Sequence, residues 1–300
     1  MATDELVDAV GADLPRAQGP AVAEGARRRL VLSQLGWYVL LSALSLLVLF
    51  PIWMTIVRAV SEPFVYIQEG QPLYPIAVDW GVFGTAWADG DLGRSLLLSL
   101  AVTAVITVAQ VVTSVLAAYS FAFVRFPFKN ALFVLVVATL LLPIEVTLVA
   151  NVRTIRELGW LDSVQGLSAP FLASAFGIFL VRQGFLGVPS ELRDAARLDG
   201  FGHLGFLTRV AIPVNRPIIA SFTLITALTA WNQYLWPRAV TTSEQWETIQ
   251  VTLRSVSVQN PERLNVGVAA AILASLPILA MLVVFQKQII RGLTAGAVKG

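Results

Sequence analysis

Two ionisable side chains, Glu145 and Arg182, fall inside long apolar runs of this sequence. A charge at the centre of a bilayer costs roughly 2.5–3.5 kcal/mol on insertion scales, so such a group usually faces a cavity or a partner. A carboxylate at Glu145 could bind hydroxyls, an amine or a choline group; it would repel a bare phosphate. A second cluster, Trp231, Asn232, Gln233 and Tyr234, combines aromatic faces with amide donors and acceptors. That set suits a polyol or sugar, and it suits an interfacial belt against lipid headgroups equally well. Catalytic chemistry is poorly served. The chain has no cysteine and one histidine, His203, which removes thiolate nucleophiles and makes a histidine metal site improbable. No catalytic residue and no metal ligand is assigned.

The elements that must position these groups are membrane spans. Mean hydropathy is +0.74 and 13% of the 300 residues are charged, against about 25% in soluble domains. The apolar blocks reach the roughly 20 residues that a bilayer crossing needs. The sequence predicts an all-α polytopic membrane protein with six spans: 35–57, 95–124, 131–150, 168–187, 214–236 and 266–286. Residues 1–30, polar and ending in Arg27-Arg28-Arg29, are expected to be a disordered cytosolic tail. Residues 31–300 form the transmembrane domain, with a cytosolic C-terminal tail at 287–300. With the N-terminus inside, thirteen Lys and Arg residues lie on the cytosolic side and seven outside, which places both termini in the cytosol. Trp37, Trp53, Trp160, Trp231, Tyr234 and Trp236 near span ends fit interfacial belts.

Pro143 stands just before Glu145, and a proline removes a helix hydrogen bond and commonly marks a kink. A kinked third span could carry Glu145 into the pathway; a glutamate at the outer interface or bonded to a neighbouring helix fits the sequence as well. Arg182 lies roughly 13 Å deeper than Glu145 at 1.5 Å per helical residue, too far for a direct pair. It is expected near the cytosolic end, snorkelling or bonding to the loop that follows. Asn151, Arg153 and Arg156 fall in the outer loop after the third span.

That following loop, residues 189–213 between the fourth and fifth spans, reads "PSELRDAARLDGFGHLGFLTRVAIP". Ser190 is a good N-cap and Glu191 suits the positive end of a helix dipole. A short helix is expected over 191–199, stopped by Gly200 and Gly202. A second runs over 203–211 and is stopped at Pro213. The small apolar face of the first helix (Leu192, Ala195, Ala196, Leu198), flanked by charge, is either a solvated surface or a docking surface for a cytosolic partner. His203 reads as a plain surface residue.

The loop resembles the EAA loop of permease subunits in binding-protein-dependent ABC importers: Asp194-Ala195-Ala196, then Gly200, then Ile212-Pro213. Asp194 replaces the usual glutamate, and Phe201 stands where alanine is common. From about residue 35 onward the chain resembles the carbohydrate-uptake, maltose-importer-like permeases, the C-terminal "RGLTAGAVKG" included. "LLPIEV" (141–146), "LDSVQGL" (161–167), "FLVRQGF" (179–185) and "WNQYLWP" (231–237) resemble more closely the permease of glycerol-3-phosphate importers. The resemblance implies a subunit in a bacterial plasma (inner) membrane that forms half of a translocation path. Its partners would be a second homologous permease, two copies of a cytosolic ATPase, an extracellular or periplasmic solute-binding protein and the lipid bilayer; no nucleic acid is expected. Glu191, Asp194, Ala195, Ala196, Leu198, Gly200 and Phe201 would be the ATPase contacts. The substrate path would involve Glu145, Trp231, Asn232, Gln233 and Tyr234.

The chain has no GxxxxGK[ST] loop, so it binds no cofactor of its own, and ATP and Mg belong to the partner ATPase. The implied solute is glycerol 3-phosphate or a glycerophosphodiester such as glycerophosphocholine, with a disaccharide or oligosaccharide as the alternative. An ion-coupled secondary carrier using Glu145 is a different class, and the lack of visible inverted repeats argues against it.

Overall fold

The computed structural model describes the backbone of residues 20–295, with side chains for residues 34–286 apart from residue 144. Among these the secondary structure is helical, with one isolated bridge between Ser61 and Val78. The helices are α1 (Pro20–Val60), α2 (Pro63–Gln68), α3 (Val82–Asp89), α4 (Leu92–Phe123), α5 (Lys129–Ala138), α6 (Ile144–Glu157), α7 (Val164–Ser168), α8 (Ala175–Leu186), α9 (Ser190–Leu198), α10 (His203–Phe206), α11 (Ile212–Val214), α12 (Arg216–Trp231), α13 (Leu235–Val240), α14 (Ile249–Gln259) and α15 (Leu264–Ala295). The chain divides after Thr55 into two units; the packing and the site described below belong to the second.

Helix α1 begins at Pro20, within the stretch expected to be a disordered tail. Residues 1–19 lie outside the described residues. At the other end α15 continues to Ala295 through the first part of the expected C-terminal tail, and residues 296–300 lie outside.

Three helical stretches are long and apolar enough to cross a bilayer: Gln34–Val60, Leu92–Phe123 and Leu264–Gln286. The other three expected spans are bent pairs. Lys129–Leu141 meets Glu145–Glu157 at 99°, Val164–Phe171 meets Ala175–Leu186 at 49°, and His203–Val214 meets Arg216–Trp231 at 80°. Among the described residues there are thus three unbroken spans, or up to six if each bent pair crosses as one.

Each bend has a local cause. At the first, Pro143 is extended (φ −63°, ψ 140°) and caps α6, after a 3-10 turn at Thr139–Leu141. Helix α6 then runs on to Glu157, so Asn151, Arg153 and Arg156 are helical rather than in a loop, and Arg153 Nε pairs with Glu157 at 2.7 Å. At the second, Ser174 starts α8 and its hydroxyl accepts from Gly177 N at 3.1 Å. At the third, a π-helical turn (Leu207–Ala211) leads through α11 to the buried Asn215, and Pro217 falls in the first turn of α12. Asn215 Nδ2 donates to the Ala211 carbonyl at 2.9 Å. Pro213 sits inside α11, so the chain turns at Asn215, two residues later than expected.

A break in an apolar region frees carbonyls that must find donors. Helix α4 supplies them for the 49° bend. Gln110 Nε2 donates to Phe171 O at 2.8 Å, Thr113 Oγ1 to Leu172 O at 3.0 Å and Ser114 Oγ to Ser174 O at 3.5 Å. Helix α8 packs between α4 and α12 through two glycines. A Cβ on Gly177 would stand 2.1 Å from Phe222 Cζ and 2.4 Å from Ser114 Oγ. One buried cluster joins Val115, Tyr119, Val181, Phe185 and Phe222 to Ala196, Phe206 and Leu207. The 189–213 loop is thereby seated on the ends of α4, α8 and α12. A second cluster gathers Val102, Ile106, Ile155, Leu167, Trp236 and Val240.

Candidate functional site

A cavity of about 410 Å³ opens beside the first two bends, against α4 and the C-terminal part of α12. Helix α4 contributes Ile106 and Gln110, the start of α6 contributes Glu145, and the α7–α8 bend contributes Phe171, Ser174 and Phe176. Helix α12 contributes Phe222, Thr226 and Thr229, and the turn into α13 with α13 itself contributes Gln233, Tyr234 and Trp236. The polar groups are a carboxylate, two amides, a phenol and three hydroxyls, set among aromatic rings; no Lys or Arg lines the cavity.

Gln110 is already committed. Besides its bond to Phe171 O, its Oε1 accepts from Thr226 Oγ1 at 3.3 Å. Gln233 Oε1 is buried and has no partner. A buried acceptor without a donor costs about 1–3 kcal/mol; the Glu145 carboxylate and the Gln233 side chain are both part of the cavity lining.

Three of the five expected pathway residues, Glu145, Gln233 and Tyr234, line this cavity. Trp231 is 2% exposed and packs in a core with Val82, Leu92 and Ile249. Asn232 turns back, donating from Nδ2 to Leu228 O at 2.8 Å and accepting from Gln250 at 3.4 Å. Consecutive residues at a helix end point in different directions, so one sequence cluster serves two environments. Trp236, expected in an interfacial belt, is 3% exposed; its Nε1 donates to Gly166 O at 3.1 Å. The residues that sequence reasoning missed are Gln110, Ser174, Thr226 and Thr229. Gln110 had a signal: it is an amide inside a 32-residue apolar helix.

Arg182 does not meet Glu145. Its Nε donates to Phe121 O at 3.3 Å and its guanidinium lies over the Phe133 ring at 4.0 Å. Lys129 Nζ reaches Ala122 O and Val124 O at 3.3 and 3.0 Å. Two cations therefore sit at the C-terminal end of α4, where the helix dipole favours them.

In the 189–213 loop, Pro189 occupies the cap position and Ser190 is the first helical residue, without the expected side-chain cap. Gly200 adopts φ +78°, the conformation glycine supplies at a helix end. Helix α9 has two faces. Ala196 is 4% exposed and turned into the core, so it offers nothing to an outside partner. Leu198 is 90% exposed, Leu192 and Leu204 are exposed, and Glu191, Asp194 and Ala195 share the open side. Phe201 is half-buried, with the Arg209 guanidinium 5.0 Å from its ring. His203 lies at the surface, as expected, and is bonded there: Tyr119 OH lies 2.9 Å from its Nδ1.

Residues 82–295 match the family described as binding-protein-dependent transport system inner membrane component. The chain belongs to that family. This transport component is 35% identical over 256 residues to the sn-glycerol-3-phosphate transport system permease protein UgpE of Yersinia enterocolitica, covering 83% of this chain and 91% of that one. It is 34% identical over 259 residues to the protein of the same name from Rhizobium meliloti, with the same coverage. In fold it is similar to a chain in the crystal structure of a bacterial ABC transporter that imports the acidic polysaccharide alginate. The TM-score is 0.73 at 22% identity, over 92% of this chain and all of that one. The transport component is therefore a membrane subunit that works with a binding protein, and not an enzyme.

Proposed function

We propose that this subunit forms half of the translocation path of an ATP-driven importer for glycerol 3-phosphate or a glycerophosphodiester such as glycerophosphocholine. The observation that carries the reading is the cavity lined by Glu145 and Gln233: a carboxylate, an amide, aromatic walls and no cation. Such a lining takes hydroxyls through hydrogen bonds and a choline group over ring faces. It cannot neutralise a phosphate, which falls to the second permease. The similarity to permeases named for sn-glycerol 3-phosphate supports the solute class.

In this reading the three bent pairs each cross the membrane once, giving six spans with both termini cytosolic. The 189–213 loop is then cytosolic, and its open face of Asp194, Ala195, Leu198 and Leu192 docks on one of two ATPase copies. A short helix seated on the ends of α4, α8 and α12 passes nucleotide-driven closure to them as a rigid body. Glu191, Gly200 and Phe201 hold or flank that face. An external binding protein delivers the solute from the other side.

The test is uptake of labelled glycerol 3-phosphate, glycerophosphocholine, maltose and trehalose by cells with and without this chain. Loss confined to the glycerophosphate compounds upholds the reading. Loss confined to a disaccharide moves the subunit to the oligosaccharide importers.

A further inference from the structure

A second cavity, about 130 Å³, lies behind α9, on the side away from the exposed leucines. It is walled by Arg193 and Arg197 of α9, by Tyr119 and Phe123 at the end of α4, and by His203 and Phe206 of α10. No carboxylate lines it. Arg193 Nε is buried there without a hydrogen-bond partner. Arg197 keeps only a loose contact with Asp194, at 3.5 Å and largely in solvent. If the Tyr119 hydroxyl donates to His203 Nδ1, the imidazole proton is left on Nε2, a further donor. A pair of guanidinium groups, with no acid opposite and one N–H orphaned, is a recognition set for an oxyanion. The volume suffices for a phosphate-sized anion with water beside it.

We infer that this cavity is a binding site for a small tetrahedral oxyanion of the phosphate type, which ties the inner face of α9 to the end of α4. The site is separate from the transport cavity: it shares no residue with it. It is also separate from the open face of α9. It holds whichever solute the importer carries. In the orientation proposed above it faces the cytosol, where free phosphate and the headgroups of anionic lipids offer the same chemistry. Bound there, the anion links the arginines of α9 to the end of α4, and so stiffens the seat of the loop.

The probe is labelled inorganic phosphate, measured by equilibrium dialysis on the whole importer in nanodiscs without nucleotide. Discs of phosphatidylcholine alone are compared with discs containing phosphatidylglycerol. The expected result is one saturable site in phosphatidylcholine that weakens about tenfold or more in Arg193→Gln and in Arg197→Gln. Arg193→Lys should recover part of the affinity, and Arg216→Gln, which does not line this cavity, should leave it unchanged. Competition by phosphatidylglycerol, lost in the same variants, would assign the oxyanion to a lipid headgroup. Absence of saturable binding, or binding indifferent to both arginine substitutions, overturns the inference. Should Arg193→Gln fail to assemble, Arg197→Gln, whose side chain is largely exposed, carries the test.

Discussion

Gln110 of α4 donates to the carbonyl of Phe171 at 2.8 Å, across 61 positions of sequence. That bond closes a gap that the 49° bend between α7 and α8 opens. It also holds one wall of the 410 Å³ cavity, since Gln110, Phe171 and Ser174 all line it. Replacing Gln110 by leucine keeps the volume and leaves the Phe171 carbonyl without a donor in an apolar setting. The expected loss is about 1–3 kcal/mol of stability, seen as a lowered Tm of the detergent-solubilised importer, together with slower uptake. An unchanged Tm would mean that the bend is held by Thr113 and Ser114 alone.

Helix α8 reaches its neighbours at backbone distance. Gly177→Ala drives a methyl into Phe222 and Ser114, and Gly184→Ala drives one to 2.5 Å from Asn215 Oδ1. Overpacking of this kind costs about 1–3 kcal/mol. Gly202→Ala, where no atom stands within 4 Å of the added carbon and φ is negative, serves as the control. Thermal melts of the three variants should separate the first two from the third.

Glu145 lines the cavity with no ion-pair partner among the described residues. Glu145→Gln removes a charge-assisted acceptor and should raise the KM for glycerophosphocholine about tenfold or more. Glu145→Lys should abolish uptake of that cationic compound and spare glycerol 3-phosphate, whose phosphate it would attract. Equal losses for both solutes would place Glu145 in the scaffold of the path.

The two faces of α9 should respond differently. Leu198→Ala, at an exposed position, should leave Tm unchanged and lower substrate-stimulated ATP hydrolysis by the importer. Asp194→Lys should do the same. Ala196→Leu fills a buried site and should lower Tm by the usual cost of overpacking, about 1–3 kcal/mol. Gly200→Pro fixes φ near −65° where the backbone needs +78°, and should disturb both stability and coupling. The comparison is between Tm and stimulated hydrolysis in the same preparations.

Asp162 anchors the turn before α7 to the segment after α13. Burial alone would raise its carboxyl, but the Thr242 hydroxyl and the Thr242 and Ser243 N–H groups donate to it and hold it below its ordinary value. The ionised form is therefore the one the fold favours. Its contribution is complete above the unfolded carboxyl range near pH 4 and is lost as pH falls through the lower folded value. Asp162→Asn should flatten that part of the stability profile between pH 5 and the acid limb, compared with the parent by thermal melts across pH.

The sequence by itself determined the membrane class, because apolar blocks of bilayer length admit few other fates. It also marked the Pro143 break and the glycine stop of α9, since both rest on backbone rules of single residues. The family followed from a 25-residue loop whose pattern is local. Tertiary structure decided the rest. Which of four consecutive residues, Trp231 to Tyr234, face the cavity depends on how α12 ends against α4 and α14. That Ala196 packs inward while Leu198 stands free depends on which side of α9 meets α4. Gln110, Ser174, Thr226 and Thr229 become one site only because the bend before α8 and the length of α12 meet α4, and their polar groups converge across segments more than a hundred residues apart. Periodicity records the environment of a residue along its own helix; it carries no record of which other helix closes the space in front of it.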